Sequence, residues 1–202
     1  MTDAPEGNAA RRAGILKSTS GEFLRYGFKK TSMDDLARAA GLSRQGLYLH
    51  FPTKEALFKQ TVLQMVEQTR AAGHAALDRE ELNIEQRLLG AFAALHGDRI
   101  GQPESDHMSE LMATAAELVG PVVQELETRL LGDVARVLRT SGVAGRWKDA
   151  GLSAKDLADQ LCATSLGLKQ RATTREEYRS RMELAIHMMC RGAVLGGAAT
   201  RR

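Results

Sequence analysis

Residues suited to reading nucleic-acid bases follow one another in the segment SRQGLYLH at positions 43–50. Arg44 can donate two hydrogen bonds to O6 and N7 of guanine, and Gln45 can pair with N6 and N7 of adenine. Gly46 has no Cβ, so the backbone at this position can approach bases or sugars closely. The chemistry that these three residues predict is the recognition of base edges by hydrogen bonds.

A second group of residues around this segment can donate hydrogen bonds to phosphate oxygens, which position a protein on DNA without reading its sequence. The group consists of hydroxyl, imidazole and ammonium side chains: Thr31, Ser32, Ser43, Tyr48, His50 and Lys54. A helix predicted to begin after Thr53 would add backbone N–H groups and the positive end of its dipole. We therefore expect double-stranded DNA as the partner of this part of the chain.

Two short helices and a tight turn must position these residues. Thr31 or Ser32 can cap the first helix, and each is followed three positions later by an aspartate. Gly41 ends that helix, Ser43 caps the next, and Pro52 closes it because proline disfavours helix at the preceding residue. Small and apolar side chains have the spacing to pack the two helices together: Leu36, Ala37, Ala40, Leu42 and Leu47. This is the pattern of a helix-turn-helix unit, whose second helix lies in the major groove.

Positive charge is concentrated at the N-terminal end of the chain. The 202 residues carry a formal net charge of +3, yet residues 1–54 contain nine Lys and Arg against five Asp and Glu. The remaining residues contain 19 basic and 20 acidic side chains. One basic end is the distribution expected of a protein that faces a polyanion. It favours DNA binding over the alternative, an ordinary helical hairpin with the same apolar pattern.

A longer pattern surrounds the helix-turn-helix unit and begins at Ile15. It comprises YGF at 26–28, TSMDDLA at 31–37, AGLS at 40–43, LY at 47–48 and FPTKEAL at 51–57. In these residues the chain resembles the DNA-binding domain of the TetR/AcrR family of bacterial transcriptional regulators. Two positions depart from the family pattern. Ser20-Gly21 replaces an apolar residue and a good helix former, and Leu49 stands where a second aromatic residue is frequent.

The resemblance implies an all-α homodimer, usually a repressor, whose C-terminal domain binds a small ligand and thereby releases DNA. Two-fold symmetry of such a dimer predicts a palindromic operator, with half-sites in successive major grooves. The rest of the chain lies outside the recognised pattern, so its fold is predicted from helical periodicity and composition.

The chain as a whole is predicted to be all-α, with about nine helices and no segment that alternates as a strand does. The predicted helices span residues 9 or 10 to 26, the segment between Ser32 and Gly41, 44–50, 54–77, 83–96, 105–118, 121–140, 154–170 and 174–194. We divide the chain into a disordered arm at 1–8, a three-helix DNA-binding domain at 9–53, and a ligand-binding and dimerisation domain at 54–202.

The last two long helices are the predicted dimer interface. One stripe of the final helix carries side chains suited to close packing: Met182, Ala185, Met189 and Ala193. Gly192 and Gly196-Gly197 would let a partner helix approach, as a two-fold interface requires. The alternative is that these small residues mark a frayed tail.

Candidate residues for an apolar ligand cavity are large side chains spread over the C-terminal three quarters of the chain: Met65, Phe92, Met108, Met112, Trp147 and Leu166. Each of them could instead belong to the ordinary core. No cluster of like charge indicates an anionic or cationic ligand. The expected effector is therefore a small, largely apolar molecule of unknown identity.

Other classes of function lack the residues that they require. Cys162 and Cys190 cannot build a disulfide framework, and they indicate a reducing compartment. Both Glu104-x-x-His107 and a His187–Cys190 pair are better explained by helix capping and core packing than by a metal or thiol site. No nucleophile and base occur at a recognisable spacing, so we expect no catalytic residue, metal or cofactor.

No apolar run approaches the roughly 20 residues that a membrane-spanning helix needs. We accordingly expect a cytoplasmic protein without a membrane partner. Two further functions remain open from the sequence. One is a ligand-independent DNA-binding activator or architectural protein, and the other is an all-α enzyme with a DNA-binding appendage.

Overall fold

A computed structural model describes residues 5–97, 100–101 and 107–192, with the backbone alone at 5–6 and 108–109. Every regular element within these residues is helical, which confirms the all-α prediction. The α-helices are α1 (Pro5–Lys30), α2 (Met33–Ala39), α3 (Arg44–His50), α4 (Lys54–Leu77), α5 (Ile84–Leu95), α6 (Met108–Val119), α7 (Val122–Thr140), α8 (Ala154–Arg171) and α9 (Arg175–Arg191). A 3-10 helix, Ala144–Ala150, lies between α7 and α8. None of these helices combines the length and apolar composition needed to cross a membrane.

The first helix is longer than predicted at both ends. It begins at Pro5 instead of Ala9 or Ala10, since proline is well accommodated in a first helical turn, where its missing N–H is not needed. The predicted arm therefore overlaps α1 at residues 5–8, and residues 1–4 lie outside the described part. The expected break at Gly27 is present, with φ 79° and ψ 166°, but one further helical turn follows it.

The segment 141–151, predicted as a connection, contains the 3-10 helix. Long-range hydrogen bonds to the end of α9 hold it. Trp147 Nε1 donates to the carbonyl oxygen of Met189 at 3.0 Å, and Arg146 Nη1 donates to that of Cys190 at 2.5 Å. These bonds join residues more than 40 positions apart. Local periodicity could not reveal this element, because side chains distant in sequence stabilise it.

The described chain packs as two units. The first comprises Met1–Glu67 and Gln102–Val123, and the second comprises Gln68–Gly101 and Gln124–Arg202. Thus α6 belongs to the same unit as α1–α3, and α4 supplies residues to both units. This division by packing falls within α4, whereas the predicted domain boundary at 53/54 separates expected functions and stays a prediction.

The core of the first unit joins α1, α2, α3, the start of α4 and α6. Its largest buried members are Phe23, Leu36, Leu47, Phe51, Leu57 and Phe58, with Leu111 and Ala115 contributed by α6. The rings of Phe23 and Phe58 pack edge to face with centroids 5.0 Å apart, and Phe28 lies 5.0 Å from Phe58. Such aromatic pairs stabilise a small core beyond the apolar area that they bury.

The second unit has an aliphatic core with a buried polar chain inside it. Tyr178 Oη donates to the carbonyl oxygen of Phe92 at 3.1 Å and lies 2.6 Å from Ser165 Oγ. His96 Nδ1 lies 2.7 Å from the same Ser165 oxygen. Since the Tyr178 proton is directed at Phe92, the Ser165 hydroxyl donates to Tyr178, and His96 Nδ1–H donates to Ser165. Burial raises the pKa of Tyr178 to about 12, so its hydroxyl stays protonated.

The predicted dimer stripe on the last helix is wrong in part. Met182 and Met189 are buried within the core of their own unit, and Ala185 is half-buried. Exposed apolar side chains of α9 are instead Leu184 and Met188, on a different face of the helix. The 3.6-residue period identified one apolar face correctly, but it could not distinguish a face that packs inside the protomer from one that is free. Ala193 and Gly196-Gly197 lie outside the described residues.

Candidate nucleic-acid interface

The helix-turn-helix begins with a reciprocal cap at the start of α2. Ser32 is the N-cap; its hydroxyl oxygen accepts from the Asp35 backbone N–H at 3.3 Å, and the Asp35 carboxylate accepts from the Ser32 N–H at 3.1 Å. Bonds from Ser32 hold the pKa of Asp35 below its ordinary value. This is the predicted capping box, and Ser32 is the residue that forms it, not Thr31.

A glycine turn then directs the chain from α2 to α3. Gly41 has φ 65°, a left-handed conformation that favours glycine. The Gly41 and Leu42 N–H groups donate to the carbonyl oxygens of Arg38 and Ala37, at 3.1 and 2.9 Å. These bonds satisfy the last carbonyls of α2 and fix the direction in which α3 departs.

Helix α3 is capped at its N-terminal end and packs into the core through its central residue Leu47. Ser43 Oγ accepts from the Gly46 N–H at 3.0 Å, and Leu47 is fully buried. A Cβ at Gly46 would lie 3.1 Å from Ser43 Oγ. Gly46 therefore relieves crowding at this cap, while its predicted close approach to DNA stays a prediction.

The predicted base-reading side chains of α3 are exposed, with Gln45 opposite the buried Leu47 and Arg44 in the first turn. Arg44 and Gln45 are exposed, as are Tyr48 and Leu49. Arg44 Nη1 lies 3.4 Å from Asp34 Oδ2, and its guanidinium carbon is 5.7 Å from the centre of the Tyr48 ring. The hydrogen bond to Tyr48 and the charge of Asp34 raise the pKa of Arg44, which keeps it cationic. Exposed ion pairs of this kind are weak, so Arg44 can exchange Asp34 for another partner.

Two predicted phosphate ligands instead hold the α1–α2 connection together. Thr31 is buried, and its hydroxyl donates to the Gly27 carbonyl oxygen at 2.6 Å, which corrects its prediction as a donor to DNA phosphates. Lys54 Nζ donates to the carbonyl oxygens of Phe28 and Thr31 at 2.9 and 3.0 Å, and lies 4.3 Å from the centre of the Phe28 ring. Two of the three ammonium protons of Lys54 are thus used within the protein.

The C-terminal end of α3 depends on a residue that sequence reasoning missed. Arg12 Nη1 donates to the His50 carbonyl oxygen at 2.7 Å, and its guanidinium carbon lies 4.5 Å from the centre of the Phe51 ring. A cation at a helix C-terminus satisfies a free carbonyl and complements the helix dipole. The His50 side chain is half-buried beside this contact. The only signal for Arg12 in the sequence was its contribution to the basic N-terminal charge.

A second missed residue, Glu110, comes from α6. Its Oε1 accepts from the Lys29 N–H at 3.0 Å, and a Cβ on Gly27 would lie 2.6 Å from its Oε2. The absence of a side chain at Gly27 thus makes room for this carboxylate. Glu110 and Lys29 are 81 positions apart, so no local pattern could have connected them.

The predicted ligand residues are divided between the two units. Met65 and Met112 belong to the first unit, whereas Phe92, Trp147 and Leu166 belong to the second. Phe92 is fully buried in the core, while Met112 and Leu166 are exposed. The side chain of Met108 lies outside the described residues. A surface groove in the first unit involves other residues of both charges: Glu22, Tyr26, Lys30, Thr31, Asp35, Arg38 and Ala39.

The thiols of the described chain are held in their protonated form. Burial raises the pKa of both Cys162 and Cys190 to about 11. His187, considered as a partner of Cys190, instead places Nδ1 3.1 Å from the Glu85 carboxylate. No group of three His, Cys, Asp or Glu side chains among the described residues is arranged to hold a metal ion.

The N-terminal part of the chain is similar to known bacterial regulatory proteins. Residues 15–61 match the family described as bacterial regulatory proteins, tetR family. The chain is 34% identical over 73 residues to the HTH-type transcriptional repressor ComR of Escherichia coli (strain K12), covering 36% of this chain and 35% of ComR. It is 32% identical over 59 residues to the HTH-type transcriptional regulator RutR of the same strain, covering 29% of this chain and 28% of RutR. The matched segments thus span about a third or less of these relatives.

Solved structures extend the likeness of fold over most of the chain. A transcriptional regulator of the TetR family from Agrobacterium tumefaciens superposes with a TM-score of 0.65 at 18% identity, covering 89% of this chain and 97% of that one. The ketosteroid transcriptional regulator KstR2 of Mycobacterium tuberculosis gives a TM-score of 0.59 at 18% identity, covering 88% and 93%. At such identities the likeness shows the fold alone.

Proposed function

Since the chain belongs to the TetR family of transcriptional regulators and carries its helix-turn-helix, we propose that it represses transcription as a homodimer on a palindromic operator. A small molecule then releases it from the DNA. The first unit binds the operator, and the second binds the effector and the partner protomer.

The way α3 is held in the first unit is the main support for DNA binding. The caps at Ser32 and Ser43 and the buried Leu47 hold α3 so that Arg44 and Gln45 are both exposed to solvent. A short helix held in this way can enter the major groove with its polar face towards the bases. Arg44 would read guanine and Gln45 would read adenine. Ser43, Tyr48 and His50 would flank these two residues and donate hydrogen bonds to phosphates of the DNA backbone.

Exposed apolar side chains on the last two helices support the dimer. Leu166 on α8 and Leu184 and Met188 on α9 are 44%, 59% and 63% exposed. Leu184 and Met188 are four residues apart and lie on one face of α9. Pairing α8 and α9 with the same helices of a second copy would bury these side chains, as a two-fold interface does. Two recognition helices related by that symmetry would require a palindrome.

The effector proposed for the second unit is small and largely apolar. The core around Phe92 is built mainly of aliphatic side chains, and the polar groups described within it, His96, Ser165 and Tyr178, bond to one another. A ligand that enters there would gain mainly by burial of apolar surface. It would release the operator by favouring a conformation of the dimer with lower DNA affinity, in proportion to its affinities for the two states.

Selection of bound sequences from a random duplex pool, repeated at two salt concentrations, tests the proposal. Recovery of one palindrome at both concentrations would support a dimer that reads bases. Retention that depends on salt but not on sequence would overturn it, because phosphate contacts alone produce that behaviour.

A further inference from the structure

Leu49 is the most exposed of the large apolar side chains that the structure describes. It is 83% exposed, whereas the neighbouring Tyr48 is 39% exposed. A single exposed leucine is ordinary on a protein surface, so its exposure by itself assigns no role. The position of Leu49 on α3 is what sets it apart.

Leu49 lies at the centre of the face that α3 turns away from the protein. Successive residues of an α-helix are rotated by about 100°, and the buried Leu47 marks the direction of the core. Measured from Leu47, Gln45 lies at about 160° and Leu49 at about 200°. The two side chains therefore project together, one turn apart, in the direction opposite to the core. Tyr48, at about 100°, flanks them on one side, and Gly46, at about 260°, flanks them on the other.

The chemistry of leucine limits what it can contact there. Its side chain has no donor or acceptor, so it forms no hydrogen bond with a phosphate or with the polar atoms of a base. The apolar group that DNA displays in the major groove is the C5-methyl group of thymine. Contact between the two removes apolar surface of both from water.

We propose that Leu49 contacts the methyl group of one thymine in each half-site and thereby selects a T·A pair at that position. The aromatic residue frequent here in the family is thus replaced by a side chain that can read a base only through an apolar contact. The inference rests on the proposed function, because it requires α3 to lie in the major groove of a specific operator.

The test uses the full-length protein and the duplex selected from the random pool. Each thymine is replaced in turn by deoxyuridine, which lacks the 5-methyl group. For the wild-type protein we expect one thymine in each half-site whose replacement weakens binding about fourfold, as loss of one buried methyl group predicts. Leu49→Ala should bind the thymine and deoxyuridine duplexes with equal affinity at that position.

A matched control is Leu152→Ala, which truncates another exposed leucine that belongs to the second unit and not to the helix-turn-helix. It should keep the wild-type preference for thymine. Equal effects of deoxyuridine on the wild type and on Leu49→Ala, or no effect at any thymine, would overturn the thymine contact. So would a uniform loss for Leu49→Ala on all duplexes, random ones included. These results leave the proposed function intact, whereas failure to select any duplex would overturn both.

Discussion

The Glu110 carboxylate of α6 accepts a hydrogen bond from the Lys29 backbone N–H at 3.0 Å, immediately after the break in α1. It occupies the space that a side chain on Gly27 would need. Lys54, at the start of α4, donates hydrogen bonds to the Phe28 and Thr31 carbonyl oxygens in the same segment. The α1–α2 connection is thus held by one side chain from α6 and one from α4. These bonds fix the segment of chain that leads into the helix-turn-helix.

Glu110→Ala should lower the free energy of unfolding by about 1 kcal/mol, because it removes the charged carboxylate that accepts a hydrogen bond from the Lys29 N–H at a largely exposed site. Urea denaturation of the full chain measures this loss. Glu110→Gln is the matched control, since its amide oxygen can still accept from Lys29, and it should cost less.

The same contact predicts that Glu110 and Gly27 are coupled. Gly27→Ala should lower the free energy of unfolding by about 1–3 kcal/mol, because φ 79° with ψ 166° is a conformation that residues with a Cβ rarely adopt. The added Cβ would also displace the Glu110 carboxylate. The double variant should then be less destabilised than the sum of the two single variants. Strict additivity would show that the carboxylate does not depend on the space beside Gly27.

Ser43→Ala should destabilise the protein by about 1 kcal/mol, because it removes the side-chain cap from α3. The loss should also weaken operator binding, since α3 has only seven residues and depends on its ends. Ser18→Ala makes the same chemical change on the exposed surface within α1 and should leave stability unchanged or slightly higher, because alanine favours helix. Equal effects of the two substitutions would contradict a capping role for Ser43.

Lys54→Ala should lower the free energy of unfolding by about 1–2 kcal/mol, because two half-buried bonds from an ammonium group are lost. The salt dependence of DNA binding by the Lys54→Ala variant shows whether Lys54 also contacts a phosphate. With two of its protons used in the protein, we expect the slope of log K against log salt to stay unchanged. A slope smaller by about one would mean that Lys54 also neutralises a phosphate.

Leu184→Glu should convert the proposed dimer to monomer at micromolar concentration, since a charge would be buried without a partner in the α8–α9 interface. Sedimentation equilibrium measures the mass directly. Leu152→Glu places the same charge on an exposed leucine outside α8 and α9 and should leave the mass unchanged. A dimer that persists with Leu184→Glu would assign the interface to another surface.

Features governed by neighbours in sequence could be predicted from the sequence. The caps at Ser32 and Ser43, the turn at Gly41 and the break at Gly27 depend on residues within a few positions of one another, and all are present. The 3.6-residue spacing of apolar residues is also a local feature, and it was enough to predict the all-α fold.

Contacts between distant residues could not be predicted in this way. Lys54 has the chemistry of a phosphate ligand, but its hydrogen-bond partners, the backbone carbonyls of Phe28 and Thr31, are more than 20 positions away and only the folded chain brings them near. Arg12 and Glu110 were missed for the same reason. Periodicity also could not tell that Met182 and Met189 pack inside the protomer while Met188 is exposed.

The most direct test of the account is the affinity of Arg44→Ala for the selected operator and for random duplex, measured at one salt concentration. Arg44 is proposed to read a guanine, so the substitution should cost about 1–3 kcal/mol on the operator, much less on random DNA, and relax the preference at one base pair of each half-site. Equal losses on the two duplexes would contradict the account, because they would make Arg44 a phosphate contact and leave α3 without its principal base reader.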